Sequence, residues 1–398
     1  MSSARHVVRG GAAGVGVFAI ALSAFAGPEG FEDADVLSDR ESVSVEHVET
    51  RITAYEQSGR GYQSQAGPLE GPGSEALHVL QAQGELVIAQ GKRLTHRLWV
   101  PVDVVTSASA NASDSYYAPK PDVISRASAQ NIASQVDYQL TVRSDDVTTW
   151  TGGVAFHHEE NFLSWLLALE YERSFADDNA TLSVAMNQVL DWFDEFSLGG
   201  KRFGRTSRSS TNLNLGFSQL LSATTLASVG YGLTLQRGEL SNTWNSVPLL
   251  AGGRIREFLP RARERHAASL GFLQYLPWRA ALKLGYRLYR DDWDATAHSF
   301  EAALHQRLGS SLVIGANYRY HQQTAVSFYT ERALPNTPYA TADSDLGKLS
   351  THTLGADATL TFPTRSFGTL FLSCGYDRYF RSDELRVNVA TWASGFHF

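Results

Sequence analysis

The chain of 398 residues is short of several things that soluble multidomain proteins use. Cysteine occurs once, at Cys374, so an intrachain disulfide framework and a multi-cysteine zinc site are both excluded. Lysine occurs five times (Lys92, Lys120, Lys201, Lys283, Lys348), so most of the 34 basic residues are arginine. Positive charge is not in excess. The formal net charge is -7, which removes the basic footprint of a nucleic-acid binder, and no nucleic-acid partner is expected. After residue 26 no apolar run approaches the 18 or so residues of a membrane helix. Any membrane crossing must therefore be made by strands.

The N-terminus carries an address. Arg5 and Arg9 precede an apolar, small-residue stretch over 10–26 that closes on Ala24-Phe25-Ala26. That pattern is a secretory signal with cleavage expected after Ala26, and Gly27 in place of Cys excludes a lipoprotein. Residues 27–47 hold seven acids against Arg40 alone and are read as an acidic periplasmic leader.

From residue 48 to 398 apolar side chains recur every second position. Val136, Tyr138, Leu140 and Val142 alternate with Asp137, Gln139, Thr141 and Arg143. Leu282, Leu284, Tyr286 and Leu288 oppose Lys283, Gly285 and Arg287. A helix would space them three and four apart. Sixteen such segments are expected: 48–57, 75–89, 92–106, 135–143, 147–157, 163–174, 178–190, 208–220, 223–236, 262–276, 279–290, 296–308, 311–321, 348–362, 367–379 and 386–398. Misreading one hairpin would give 14 or 18. Short connections alternate with connections that include long ones at 58–74, 107–134, 191–207, 237–261 and 322–347. The expected fold is an all-β, antiparallel, up-and-down transmembrane barrel with short periplasmic turns and long extracellular loops. The terminal aromatic Phe398, with Phe396 and Trp392 on its face, resembles the signal read by the barrel-assembly machinery. Trp165, Trp392, Tyr171 and Tyr320 are expected near strand ends, in contact with outer-membrane lipid.

A barrel of this size encloses more space than its wall side chains fill. Its expected pore-lining charges are Arg97, Arg143, Lys283, Arg287, Arg307 and Arg319, against Asp103, Asp137, Glu170, Glu172, Glu301, Asp357 and Asp377. The mixture names no ion preference, and cross-strand pairing inside a plugged lumen is the competing reading. Long loops such as 107–134 are able to fold inward. Two outer connections hold metal-ligand vocabulary: His157, His158 and Glu159 in one, Asp291, Asp292 and Asp294 in the other. Adjacent residues on an extended chain point to opposite faces, so a solvated rim is the favoured reading of both. No catalytic set, metal or cofactor is expected.

The segments Val102–Ser109 (VDVVTSAS), Asp122–Ser128 (DVISRAS) and Arg51–Glu56 (RITAYE), followed by strands ending in Phe398, resemble a bacterial family known only as domain of unknown function 3570 (DUF3570). The resemblance covers about residues 45 to 398. It implies an exported outer-membrane protein of a Gram-negative bacterium and assigns no activity. The expected function is a channel or transport component for small hydrophilic solutes. The alternative is a non-conducting scaffold for a periplasmic or surface lipoprotein partner. A barrel hydrolase using Asp291, Asp292 or Asp294 stands third.

Overall fold

The computed structural model describes residues 42–58, 77–107, 131–198, 201–243, 245–364 and 368–398. The signal segment, most of the acidic leader, DVISRAS and most of the 58–74 and 107–134 loops lie outside the described residues.

The strands are β1 (Val43–Ser58), β2 (Leu77–Gln90), β3 (Leu94–Ser107), β4 (Asn131–Arg143), β5 (Thr148–Glu159), β6 (Phe162–Phe175), β7 (Ala180–Phe196), β8 (Arg202–Ser222) and β9 (Thr225–Gly238). After a short hairpin, β10 (Ser246–Pro248) with β11 (Arg254–Arg256), come β12 (Ala262–Leu276), β13 (Ala280–Asp291), β14 (Thr296–Leu308), β15 (Leu312–Gln323), β16 (Leu349–Thr364), β17 (Gly368–Arg381) and β18 (Arg386–His397). All but β10 and β11 form one closed antiparallel barrel of sixteen strands. Each pairs with its neighbour in sequence, and β1 pairs with β18 from His47↔His397 to Ser58↔Arg386. No helix among the described residues is long and apolar enough to cross a membrane.

Closure gives each of the sixteen strands a hydrogen-bonded neighbour on both sides, so the membrane wall has no open edge. The outward positions then carry large apolar side chains in the open: Leu167 is 57% exposed, Leu270 56% and Leu354 53%. Such a continuous apolar surface is untenable in water and fits a bilayer. The protein is an outer-membrane β-barrel. Its buried apolar clusters lie away from the membrane wall. One packs Tyr55, Leu385 and Val387 at the outer end of the β1–β18 seam. The others join Val247, Ala333, Ala340 and Ala342, and Leu259, Trp293, Ala295 and Val326, in the outer loops.

Four details differ from the expectation. β1 begins at Val43, so the last residues of the leader are strand. β7 and β8 run on through most of the supposed 191–207 loop, leaving only 197–201 between them. There the strand ends mix charged and apolar residues, with Asp191, Phe193, Asp194 and Phe196 all buried, so the alternation fades. Cross-strand pairs hold them instead: Arg208 to Asp191 at 2.8 Å and Arg202 to Asp194 at 2.8 Å. The 237–261 connection contains β10 and β11. Trp392 sits in the middle of β18, away from its ends.

The seam supplies a test. A Cβ on Gly395 would collide with the Val48 carbonyl and the Phe371 ring, whereas one on Gly84 would meet nothing within 4 Å. Gly395→Val should therefore lower barrel stability by about 1–3 kcal/mol. Gly84→Ala should leave it within about 0.5 kcal/mol. Heat-modifiable electrophoretic mobility of the refolded barrel reads both.

Candidate functional site

The register sorts side chains into two faces. Positions that alternate with the exposed apolar residues turn toward the lumen. They hold Arg97 and Asp103 on β3, Asp137 and Arg143 on β4, and Glu170 and Glu172 on β6. They also hold Lys283 and Arg287 on β13, Glu301 and Arg307 on β14, Arg319 on β15, Asp357 on β16 and Asp377 on β17.

Several of these charges have partners. Arg97 grips Glu85 with two bonds, 2.9 and 3.0 Å, and nearby Arg51 pairs with Glu49 at 2.6 Å. Arg319 lies 3.3 Å from Glu301, and His305 lies 3.6 Å from Asp357. Gln81 donates to Asp103 at 2.5 Å, and Asn317 donates to Asp377 at 3.3 Å. Arg287 stands between Ser269 and Ser299 and is in no ion pair among the described residues. Glu170 and Glu172, opposite Thr151 and Thr149, are likewise in none. Glu49, Arg51 and Glu85 obey the same alternation and were legible as inward charges. Asp191 was hidden by its position in the supposed 191–207 loop, and with it the partner of Arg208.

The lumen is unevenly furnished. On β7–β9 the inner wall is amide and hydroxyl: Asn212 accepts from Thr234 at 2.7 Å and donates to Asn187 at 2.6 Å. On β13–β15 it carries Arg287, Glu301 and Arg319. Between them lies a cavity of about 520 Å³ that also touches Gln135 and His157 on the far side. Gly230, Gly232 and Gly285 line it, and neighbouring side chains lie over them: a Cβ would come within 2.6 Å of Ser269 Oγ, 3.1 Å of Asn214 Oδ1 and 3.5 Å of Glu301 Cβ respectively.

Two loops, 239–261 and 324–348, interlock at the extracellular rim. Phe258 and Ala340 exchange backbone bonds of 3.1 and 3.0 Å, and Ala333 donates to Pro248 at 2.8 Å. Glu257, 3% exposed, accepts from the Thr341 hydroxyl at 2.5 Å and the Asn242 amide at 2.7 Å. This roof is tied down at both ends. Arg256 reaches Glu195 at 3.5 Å and lies over the Phe203 ring beside β7 and β8. Arg381 on β17 bonds Asp345 at 2.5 Å and Ser344 at 2.7 Å. Burial pushes the Asp345 carboxyl above its ordinary range, and the Arg381 guanidinium offsets part of that rise.

The two rim clusters are structural. His157 and Glu159 face inward, buried and paired at 2.8 Å, whereas His158 falls on the outward face. Asp291 is wholly committed. Its Oδ2 accepts from Arg263 at 2.9 and 2.5 Å and from the Tyr289 hydroxyl at 2.7 Å. Its Oδ1 accepts the amides of Trp293 and Ala295 at 3.1 and 2.9 Å. Asp292 accepts the Glu264 amide at 2.9 Å, and Asp294 adopts φ 70° in the turn. A nucleophile or metal ligand at Asp291 would have to abandon this turn. Among the described residues no group of three or more His, Cys, Asp or Glu side chains is placed to hold a metal ion.

Asp291→Ala should strand Arg263 in a buried site and cost about 3–5 kcal/mol. Asp294→Gly suits its positive φ and should change stability by no more than about 0.5 kcal/mol. Denaturant unfolding of the reconstituted barrel separates the two.

Comparison with known proteins gives little beyond the architecture. No curated protein matches the chain. OccK1 (OpdK) of Pseudomonas aeruginosa superposes with TM-score 0.43 and 8% identity, covering 88% of this chain and 97% of its own. A BenF-like porin from Pseudomonas fluorescens Pf-5 gives 0.44 and 10%, covering 89% and 99%. A FadL homologue of Pseudomonas aeruginosa gives 0.41 and 11%, covering 89% and 90%. Values this low carry nothing about cargo. The segments that first suggested a family, at 51–56, 102–109 and 122–128, lie outside the region a family model matches. That region is residues 193–388, from the end of β7 into β18, and over this narrower span the chain matches the family described as Protein of unknown function (DUF3570).

Proposed function

We propose that the barrel is an outer-membrane channel, or the channel part of a transport system, for small hydrophilic solutes. The observation that carries this reading is the cavity between the amide wall of β7–β9 and the charged wall of β13–β15. A sixteen-strand wall is too wide to be filled by its own side chains. Several inward charges are satisfied within the wall, as in the Arg97–Glu85 and Arg319–Glu301 pairs. A solute passing the Asn187–Asn212–Thr234 ladder meets exchangeable hydrogen-bond partners. A passing ion meets the guanidiniums of Arg287 and Arg319 on the other side.

The roof favours a second reading, a scaffold whose interlocked loops present a fixed surface to a periplasmic or surface partner. Its rigid core of Val247, Ala333, Ala340 and Ala342 is what a binding platform requires. The two readings differ in what happens when lumen charges are changed.

A unit charge about 7 Å from a permeating ion in water is worth about 0.6 kcal/mol, close to threefold in permeability. Arg287→Ala with Arg319→Ala should therefore shift the permeability ratio toward cations by about threefold or more. Glu170→Gln with Glu172→Gln should shift it toward anions. Reversal potentials across a salt gradient in planar bilayers give the ratio. Four unmoved charges would remove the channel reading and leave the scaffold.

A further inference from the structure

The lipid face of β9–β18 carries a repeat that neither lumen nor roof uses. Each hairpin places a tyrosine on its rising strand and a polar partner on its descending strand. The Tyr231 hydroxyl lies 2.7 Å from His266 Nδ1, Tyr286 lies 2.8 Å from His298 Nδ1, and Tyr318 lies 2.8 Å from His352 Nδ1. The Tyr376 hydroxyl donates to Asn388 Oδ1 at 2.7 Å. The register is the same four times. The partner stands two residues before the one opposite the tyrosine, which is Ala268, Phe300, Leu354 or Ala390.

These pairs also share one height. His266 is opposite Arg290, Arg290 is opposite Thr296, and His298 comes two residues later. His298 is opposite Gln322, Gln322 is opposite Ser350, and His352 again comes two residues later. Two residues for every two strands is the stagger of tilted strands, so the imidazoles form a level band close below the outer ends. Arginines join it on outward positions: Arg290 on β13, Arg378 on β17 and Arg386 on β18. None of the three is in an ion pair among the described residues. Arg378 lies over the Phe380 ring, 5.1 Å from its centroid. Two acids stand at this band: Glu264, 3.0 Å from His266, and exposed Glu56 on the neighbouring β1, opposite Asn388.

Cations on a lipid face are costly in hydrocarbon and tolerated at the interface. Guanidinium is the group best shaped for a phosphate, and tyrosine spans the boundary between acyl chain and headgroup. We propose that this band is a docking strip for outer-leaflet lipid with a phosphorylated, anionic headgroup. The guanidiniums and imidazoles take the phosphates, and the tyrosine rings lie against the upper acyl chains. The proposal is independent of whether the lumen conducts.

The test uses the full-length barrel, delipidated in detergent and returned to zwitterionic phosphatidylcholine with bisphosphorylated lipid A. Native mass spectrometry counts the lipid retained per barrel. Lipid A should be retained in preference to phosphatidylcholine. Arg290→Gln, Arg378→Gln and Arg386→Gln together should reduce that retention by about tenfold or more. Equal retention of the two lipids by the unaltered barrel, or unchanged retention by the folded triple variant, overturns the proposal. Should the triple variant fail to fold, Arg290→Gln and Arg386→Gln are read singly. Each is expected to lower retention by about threefold, and no change in either overturns the proposal equally.

Discussion

The structure depends on one constraint: in hydrocarbon, a backbone amide or carbonyl without a partner costs several kcal/mol. A sheet meets that demand only by closing, and here closure is the pairing of β1 with β18. Alternation follows, because a closed wall has one face in lipid and one in the lumen. The long outward display of Leu, Val, Ile and aromatic side chains follows as well. So does the absence of a central apolar core among the described residues, since the side chains that would build one in a soluble protein are spent on lipid.

That arrangement divides the molecule into two regimes. Within the membrane, the wall is held by its ladder, and the inner side chains are free to be polar. Beyond the membrane there is no lipid to cover apolar groups, so loops 239–261 and 324–348 make small cores of their own. Arg256 and Arg381 fasten this roof to strands on either side of it. The buried Arg263–Asp291 pair stiffens the turn between β13 and β14 beneath it. Rigidity sits at the mouth, and polar side chains face the lumen among the described residues. The proposed channel, with a constrained entrance, would use both.

The sixteen strands were legible because lipid enforces period two without exception over about ten residues. Legibility failed where that enforcement stops. The outer ends of β7 and β8 continue on ion pairs whose partners, such as Asp191 and Arg208, lie 17 residues apart. β10 and β11 are too short to show a period. The inward position of the charged residues could be read from alternation, but their pairing could not. Nothing local says that Arg97 is held by Glu85 while Arg287 stands alone. The role of Asp291 was equally hidden, since Arg263 is 28 residues away. The Tyr–His repeat is present in the sequence as Tyr231, Tyr286, Tyr318 and Tyr376. Only the register shows that each meets its partner on the same diagonal.

The account stands or falls on the lumen being an open aqueous path. Single-channel recording of the refolded barrel in a planar bilayer measures that directly. The account predicts steady, discrete conductance steps from protein that retains the electrophoretic mobility of the folded barrel. Folded protein that inserts and stays silent would contradict it.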